Sequence, residues 1–147
     1  MTECSLRPAR ETDSKPIKDL IHLVDINPTG LDWKRFVVAV DARDVVIGCG
    51  QLKPHGGDIL ELASIAVRPE YQKQGIGRAV IEYLLKGSPR PLYLMCMSSN
   101  GPLYEKFGFR AVEYAEMPHY FQRMTKLAGL AEYLMQSGEH LLVMKLG

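Results

Sequence analysis

Apolar residues change their spacing several times along the chain, and each change marks an element. Ile17, Leu20, Ile21 and Val24 recur at helical spacing, which predicts a helix over 12–26. Thr12 and Asp13 offer N-cap oxygens, Pro16 suits a first turn, and Asn27-Pro28-Thr29-Gly30 ends the helix. A short strand at 4–7 precedes it, and a short turn or helix at 31–35 carries the only tryptophan, Trp33. The run Phe36-Val37-Val38-Ala39-Val40 is β-branched and reads as a strand, and the polar turn 41–44 returns it into a second strand at 45–52. A turn at 54–58 leads to a third, mostly apolar strand at 59–67. The period then becomes helical. Val80, Ile81, Leu84 and Leu85 share one face of a helix at 77–85, stopped by Gly87-Ser88-Pro89. A strand at 92–97, a short helix at 102–107 ended by Gly108, and a strand at 109–114 follow. An amphipathic helix at 118–136, with Phe121, Met124, Leu127, Ala128, Leu130, Ala131, Leu134 and Met135, can be broken at Gly129. A last strand covers 141–146. No repeat or linker interrupts this order, which predicts one α+β (mixed α/β) layered domain over residues 1–147.

Composition narrows the class. With 46% hydrophobic and 24% charged residues in 147, the chain has the balance of a soluble globular protein rather than a disordered one. A net charge of +1 argues against a dedicated nucleic-acid binder. The first residues contain no apolar signal core, and no apolar run reaches the ~18 residues of a membrane span. Cys4, Cys49 and Cys96 are odd in number and far apart, so they read as reduced thiols in the cytoplasm. His22, His55, His119 and His140 form no zinc spacing, and no metal is expected.

The chemistry concentrates where the third strand gives way to the next helix. In Ile65-Ala66-Val67-Arg68-Pro69-Glu70-Tyr71-Gln72-Lys73-Gln74-Gly75-Ile76-Gly77-Arg78, a strand ends in a polar loop whose glycines open a helix. Glycines let a ligand approach the backbone, and the unpaired first N–H groups and the helix dipole favour an anion. Lys73 and Arg78 add positive charge. The result is a site suited to a phosphate or pyrophosphate. It is not a Walker loop, because Gly77 is followed by Arg78-Ala79, and it is not a Rossmann fingerprint, because Val80 stands where a third glycine would be.

Val67-x-Pro69-x-Tyr71-Gln72-x-x-Gly75-Ile76-Gly77 resembles the acetyl-coenzyme-A loop of the GNAT superfamily of N-acetyltransferases. Leu103-Tyr104-Glu105-Lys106-Phe107-Gly108-Phe109 resembles the short helix and strand of the family's later motif. The resemblance covers 36–114 well, the first helix loosely and the tail from Ala115 poorly. It implies a central mixed, mostly antiparallel sheet of about six to seven strands flanked by helices. It also implies that acetyl-coenzyme A is the cosubstrate and that no metal takes part. Main-chain groups of Ile65, Ala66 and Val67 would hold pantetheine as an added strand, the Ile65 N–H would polarise the thioester carbonyl, and the N–H groups from Lys73 through Gln74, Gly75, Ile76 and Gly77 to Arg78 would hold the pyrophosphate. Gln72 opens that loop. Asn100 resembles a coenzyme-contacting asparagine of some relatives, with a helix N-cap as its alternative.

Two proton transfers need partners. An amine with a pKa near ~10.4 arrives protonated and must lose a proton, and the leaving thiolate must gain one. Tyr104 matches the family's tyrosine acid, against a packing role beside Phe107 and Phe109. Glu61, six residues before Val67, stands where the histone-acetylating branch has a glutamate base, against a role as a strand charge or ion pair. Cys96 reads better as an inert thiol, His119 as a surface histidine, and Trp33 and Tyr120 as core aromatics with an acceptor pocket as the alternative. The expected reaction is direct acetyl transfer to a primary amine of a small molecule or amino acid. A protein or peptide acceptor and a non-catalytic coenzyme-A sensor are the alternatives. No nucleic-acid or membrane partner is expected, and a homodimer contact through 118–136 stays open.

Overall fold

The computed structural model describes residues 3–135 and 138–147. The described residues form a mixed α+β fold, with a seven-stranded, mostly antiparallel sheet and four α-helices among them. The chain forms two compact units. The first holds Met1–Lys53 and Leu62–Ser88, the second Pro54–Glu61 and Pro89–Gly147.

In the first unit, β1 (Ser5–Pro8), β2 (Phe36–Val40), β3 (Val46–Pro54) and β4 (Leu60–Val67, from Leu62 onward) lie in sequential order. β2 is buried along its whole length because both faces are covered. Phe36, Val38 and Val40 pack with Ile17, Leu20 and Ile21 of α1 (Ser14–Leu23), while Val37 and Ala39 pack with Ile76 and Val80 of α2 (Ile76–Lys86). A bulge between Ala39 and Val40 lets Ile47 turn toward α2. Gly48 and Gly50 lie on that same side. A Cβ at Gly50 would stand 2.6 Å from Ile65 Cδ1 and 2.7 Å from Val80 Cγ1, so the glycines let α2 approach closely.

The predicted first helix begins as a 3₁₀ turn at Glu11–Asp13 and becomes α-helical only at Ser14. Asp13 does stand at the N-cap, but its carboxylate does not cap α1. It accepts from the Arg10 N–H at 2.7 Å and from two Arg7 guanidinium nitrogens at 2.7 and 3.1 Å. The helix ends at Leu23, three residues earlier than its apolar spacing predicts, where Asp25 turns left-handed with φ 58°.

The second unit contains Leu60 and Glu61 at the start of β4, then β5 (Leu92–Met97), β7 (Leu141–Leu146) and β6 (Arg110–Ala111) side by side. Glu61 pairs with Tyr93 in a parallel bridge, and β7 runs antiparallel to both β5 and β6. α3 (Gly101–Glu105) follows a 3₁₀ turn at Ser98–Asn100. The predicted strand at 109–114 contracts to two residues. Its pairing ends once the Val112 N–H donates to Val143 O, and Tyr114–Glu116 coil into a 3₁₀ turn with Glu116 bonded to Arg110 at 3.1 Å. α4 (His119–Met135) runs through Gly129 unbroken and buries Phe121 completely, yet Leu127 is 65% exposed, so the apolar stripe does not cover the whole helix. The predicted terminal residue Gln136 and the side chains of Leu130, Ala131, Leu134 and Met135 lie outside the described residues.

Among the described residues no helix is long and apolar enough to cross a membrane, and no group of three or more His, Cys, Asp or Glu is placed to hold a metal ion.

Candidate active site

The sequence-predicted residues divide between the two units. Ile65, Ala66, Val67 and Gln72 to Arg78 lie in the first, and Glu61, Asn100 and Tyr104 in the second.

In the first unit, β4 carries an irregularity just before Ile65. Ser64 is left-handed with φ 58°, a conformation that costs a non-glycine residue on the order of 1–2 kcal/mol. Its surroundings hold it there. Ser64 Oγ lies 2.8 Å from Gln51 Nε2, and Ser64 O accepts from Cys49 Sγ at 3.5 Å. Gln51 is fully buried, donates also to Gly30 O at 3.1 Å, and leaves its Oε1 without a hydrogen-bond partner among the described residues. Neither Gln51 nor Ser64 stood out in the sequence, because a left-handed serine carries no local signal. Burial pushes the Cys49 thiol up to about 12, which keeps it protonated and inert.

Beyond β4, the Arg68 N–H donates to Ile47 O at 2.9 Å, a 3₁₀ turn covers Pro69–Tyr71, and the loop from Gln72 leads into α2. Gln72 Nε2 donates to Val67 O at 3.0 Å and Gln74 Nε2 to Glu70 O at 3.4 Å, so both amides brace the loop from its own flanks. Lys73 (φ 64°) and Gly75 (φ 86°) are both left-handed. Gly75 is the N-cap of α2, and no side chain caps the helix. Ile76, buried, anchors the first turn in the core. Arg78 pairs with Glu82 at 2.9 Å on the exposed face, so part of its charge is already engaged.

The two loop glycines are glycine for different reasons. Gly75 needs its positive φ. Gly77 is helical, and a Cβ there would meet only Val67 Cγ2 at 3.6 Å, an ordinary contact. Nothing in the protein's own packing requires glycine at 77, so the open space above it is available to something outside the chain.

In the second unit, Glu61 is buried at the start of β4. Its Oε1 lies 2.6 Å from His55 Nε2, both side chains being under a tenth exposed. The turn closes with the His55 N–H on Ile59 O, which sets His55 opposite Ile59 and puts Glu61 two residues further along the same strand face. The Tyr120 ring stacks on the His55 ring at 3.7 Å and 17°, and Phe121 meets the imidazole edge-on at 5.8 Å. Burial raises the Tyr120 phenol, and the Glu61 charge raises it further. Tyr120 therefore belongs to the surroundings of Glu61. His55 was expected only to form a turn, and its part here went unread.

Tyr104 sits on α3, half-buried, its ring edge-on to Phe109 at 6.3 Å. Burial raises its phenol, with the nearby Cys96 adding to the effect, so the hydroxyl keeps its proton through neutral pH. Cys96 is buried, its thiol raised by burial and 3.9 Å from Met144 Sδ. Asn100 occupies the N-cap position of α3, but its exposed side chain makes no capping bond. His119 is exposed and contacts Gln122 at 3.2 Å, and Trp33 packs half-buried against the α1 face of the core.

Over 59 residues the chain is 42% identical to the [ribosomal protein bS18]-alanine N-acetyltransferase of Escherichia coli, covering 35% of this chain and 40% of that relative. The fold is similar to that of N-acetylglutamate synthase from Neisseria gonorrhoeae, solved with coenzyme A and N-acetyl-glutamate (TM-score 0.72, 20% identity, 100% of this chain and 36% of that one). It is also similar to a Mycobacterium tuberculosis protein solved with CoA and NLQ (TM-score 0.68, 25% identity, 95% of this chain and 97% of that one). The chain thus spans less than half the length of the curated relative and of the synthase. The model of the acetyltransferase (GNAT) domain matches residues 32–111, more than half of the 147, and the chain belongs to the GNAT acetyltransferase family.

Proposed function

We propose that the protein transfers an acetyl group from acetyl-coenzyme A directly to a primary amine, with an amino acid or other small molecule as the acceptor. The observation that carries the reading is the Gly75–Gly77 turn. The N-terminus of α2 carries no side-chain cap, and its first turn holds a glycine, Gly77, that the protein's own packing does not require. Such a turn accommodates a pyrophosphate against main-chain N–H groups. The residues present fit the cosubstrate, which supplies an activated acetyl thioester. Ile65, Ala66 and Val67 offer main-chain groups to its pantetheine arm, and the N–H groups from Lys73 through Arg78 receive its phosphates. The Ile65 N–H polarises the carbonyl under attack. Gln72 and Gln74 brace the loop, and Asn100 stands exposed for a contact to the coenzyme. Glu61 takes the amine proton, and Tyr104 returns one to the departing sulfur.

A second reading has its own support. The 42%-identical segment is shared with an enzyme named for alanine of a ribosomal protein, which favours a protein N-terminus as acceptor. Release of coenzyme A thiol, followed against a panel of free amino acids, simple amines and alanine-initiated peptides, separates the two. Turnover of free amino acids or amines alone supports the first reading. Turnover of peptides alone replaces it with the second, and tight coenzyme A binding without turnover of any member reduces the protein to a coenzyme A sensor.

A further inference from the structure

The short contact between His55 and Glu61 has no place in the roles above. Taking a carboxylate out of water favours its neutral form, and a neutral carboxyl cannot act as a base. Something must hold the charge on a buried glutamate if it is to accept a proton near neutral pH. The second unit supplies a donor for that purpose at 2.6 Å.

We propose that His55 and Glu61 work as one buried dyad, in which the imidazole Nε2–H donates to Glu61 Oε1 and keeps the carboxylate ionised and aimed for the amine, while the Tyr120 ring holds the imidazole in place. This rests on the reading of Glu61 as the base. His55 is thus a positioning residue. In the step itself an N–H bond of the acceptor amine breaks and its proton passes to the Glu61 carboxylate. The electron pair left on nitrogen forms the new bond to the acetyl carbon, the thioester C–S bond breaks with its pair going to sulfur, that sulfur takes its proton from Tyr104, and the His55 Nε2–H bond stays intact throughout.

The neighbourhood suits this division of labour. Tyr120 covers one face of the imidazole and Phe121 meets it edge-on, so ring rotation away from Oε1 would break both ring contacts. From β5, Tyr93 pairs with Glu61, and from β7 the Lys145 ammonium sits 5.9 Å over the Tyr93 ring. From α4, Tyr120 lies on the imidazole, and Arg123 lowers the Tyr120 phenol against the larger upward effects of burial and Glu61. Each side chain of the dyad therefore has a separate reason to stay where it is.

Two substitutions divide the dyad from simple packing. His55→Phe keeps an aromatic ring on Tyr120 and removes the N–H. His55→Gln loses the stack and keeps an amide N–H able to reach Oε1. The dyad predicts that the acid limb of kcat/KM moves to higher pH in His55→Phe, the neutral-pH rate falling about tenfold for each unit by which the limb passes above neutrality, and that His55→Gln stays near wild type. Packing predicts the reverse order, and an unmoved limb in His55→Phe beside a slow Glu61→Gln overturns the dyad while leaving the base in place. A wild-type rate in Glu61→Gln instead overturns the reading of Glu61 beneath it. A readout without turnover is long-range ¹H–¹⁵N NMR of the imidazole in the wild-type protein at neutral pH. A proton on Nε2 is expected, and a tautomer protonated on Nδ1 alone overturns the proposal.

Discussion

The loop from Gln72 to Arg78 is made almost wholly of main chain, whereas the surroundings of Glu61 are made of side chains. In the loop, two left-handed residues and a cap without a side chain shape the backbone, and the flanking glutamines bond back onto nearby carbonyls. Around Glu61, the β3–β4 turn supplies the imidazole, β5 the paired Tyr93, and α4 the stacked Tyr120. A main-chain site depends on backbone conformation, so contiguous residues can encode it. A side-chain site needs parts from distant positions, so only folding assembles it. The first kind tolerates changes of side chain except at its glycines. The second fails when a single functional group is removed.

The largest effect expected on this contrast is at Glu61. In Glu61→Gln, acetyl transfer at neutral pH should slow by ~10²–10⁴-fold, as loss of a general base does, with coenzyme A affinity retained. The defect should shrink as pH rises toward the amine's own pKa, where the free amine needs no base. Single-turnover rates across pH check this, and a pH-independent defect would make the carboxylate a structural charge.

Next comes Tyr104. Its raised phenol keeps the hydroxyl protonated at neutral pH, as the proposed acid role needs. Tyr104→Phe keeps the ring edge-on to Phe109 and deletes only the hydroxyl. Transfer should slow by about 10²-fold, the low end of acid catalysis for a good leaving group, with an unchanged melting temperature. A wild-type rate would show that the ring only packs.

The loop should respond in the opposite sense, losing binding rather than rate. Gly77→Ala meets only Val67 at an ordinary 3.6 Å, and alanine in a helix is better than glycine by roughly 0.5–1 kcal/mol. The variant should melt slightly higher than wild type yet bind coenzyme A about tenfold or more weakly in calorimetry, since overpacking by a methyl costs ~1–3 kcal/mol. A fold made more stable with unchanged binding would mean that nothing approaches Gly77. Gly75 is a poorer probe, because its φ of 86° penalises any replacement whether or not a ligand is present.

The smallest effect, and a control away from both regions, is at Asp13. The Arg7 guanidinium, then the Arg10 N–H, hold its carboxyl below the usual carboxylate range. A lowered folded value means that the pair's stabilisation is fully present above the unfolded value of ~3.9 and fades as pH falls through the folded one. Asp13→Asn should therefore lose about 1.5–3 kcal/mol at neutral pH, as loss of charged hydrogen bonds does. Urea midpoints for variant and wild type should begin to approach each other below about pH 4 and meet only below the folded value. Acetyl transfer at saturating substrate should not change, and a change there would tie Asp13 to the chemistry.

Predominantly apolar strands were the most legible parts of the fold. Phe36–Val40, Leu92–Met97 and Leu141–Leu146 occupy the positions their apolar runs predict. Along Phe36–Val40 continuous burial leaves a continuous apolar record, and a polar turn bounds it. The glycine loop was legible for a related reason, since its backbone conformation and its anion-favouring helix start are both local properties. Other features had no local record. The Ile47 bulge, the Gly48 and Gly50 approach of α2, and the left-handed Ser64 held by Gln51 depend on what lies across the sheet. The strand at 109–114 shortens where Tyr114–Glu116 coil into a turn and the Arg110 guanidinium donates to the Glu116 carboxylate. The His55–Glu61 contact follows from a hairpin register that puts residues six apart on one face, and Tyr120 joins them from a helix about sixty residues away in the chain. Sequence alone determined which backbone segments could bend, extend or receive an anion, because those are properties of neighbours along the chain. Tertiary structure decided which side chains would meet in low dielectric and therefore which carboxylate needed a partner, because burial and pairing are properties of neighbours in space.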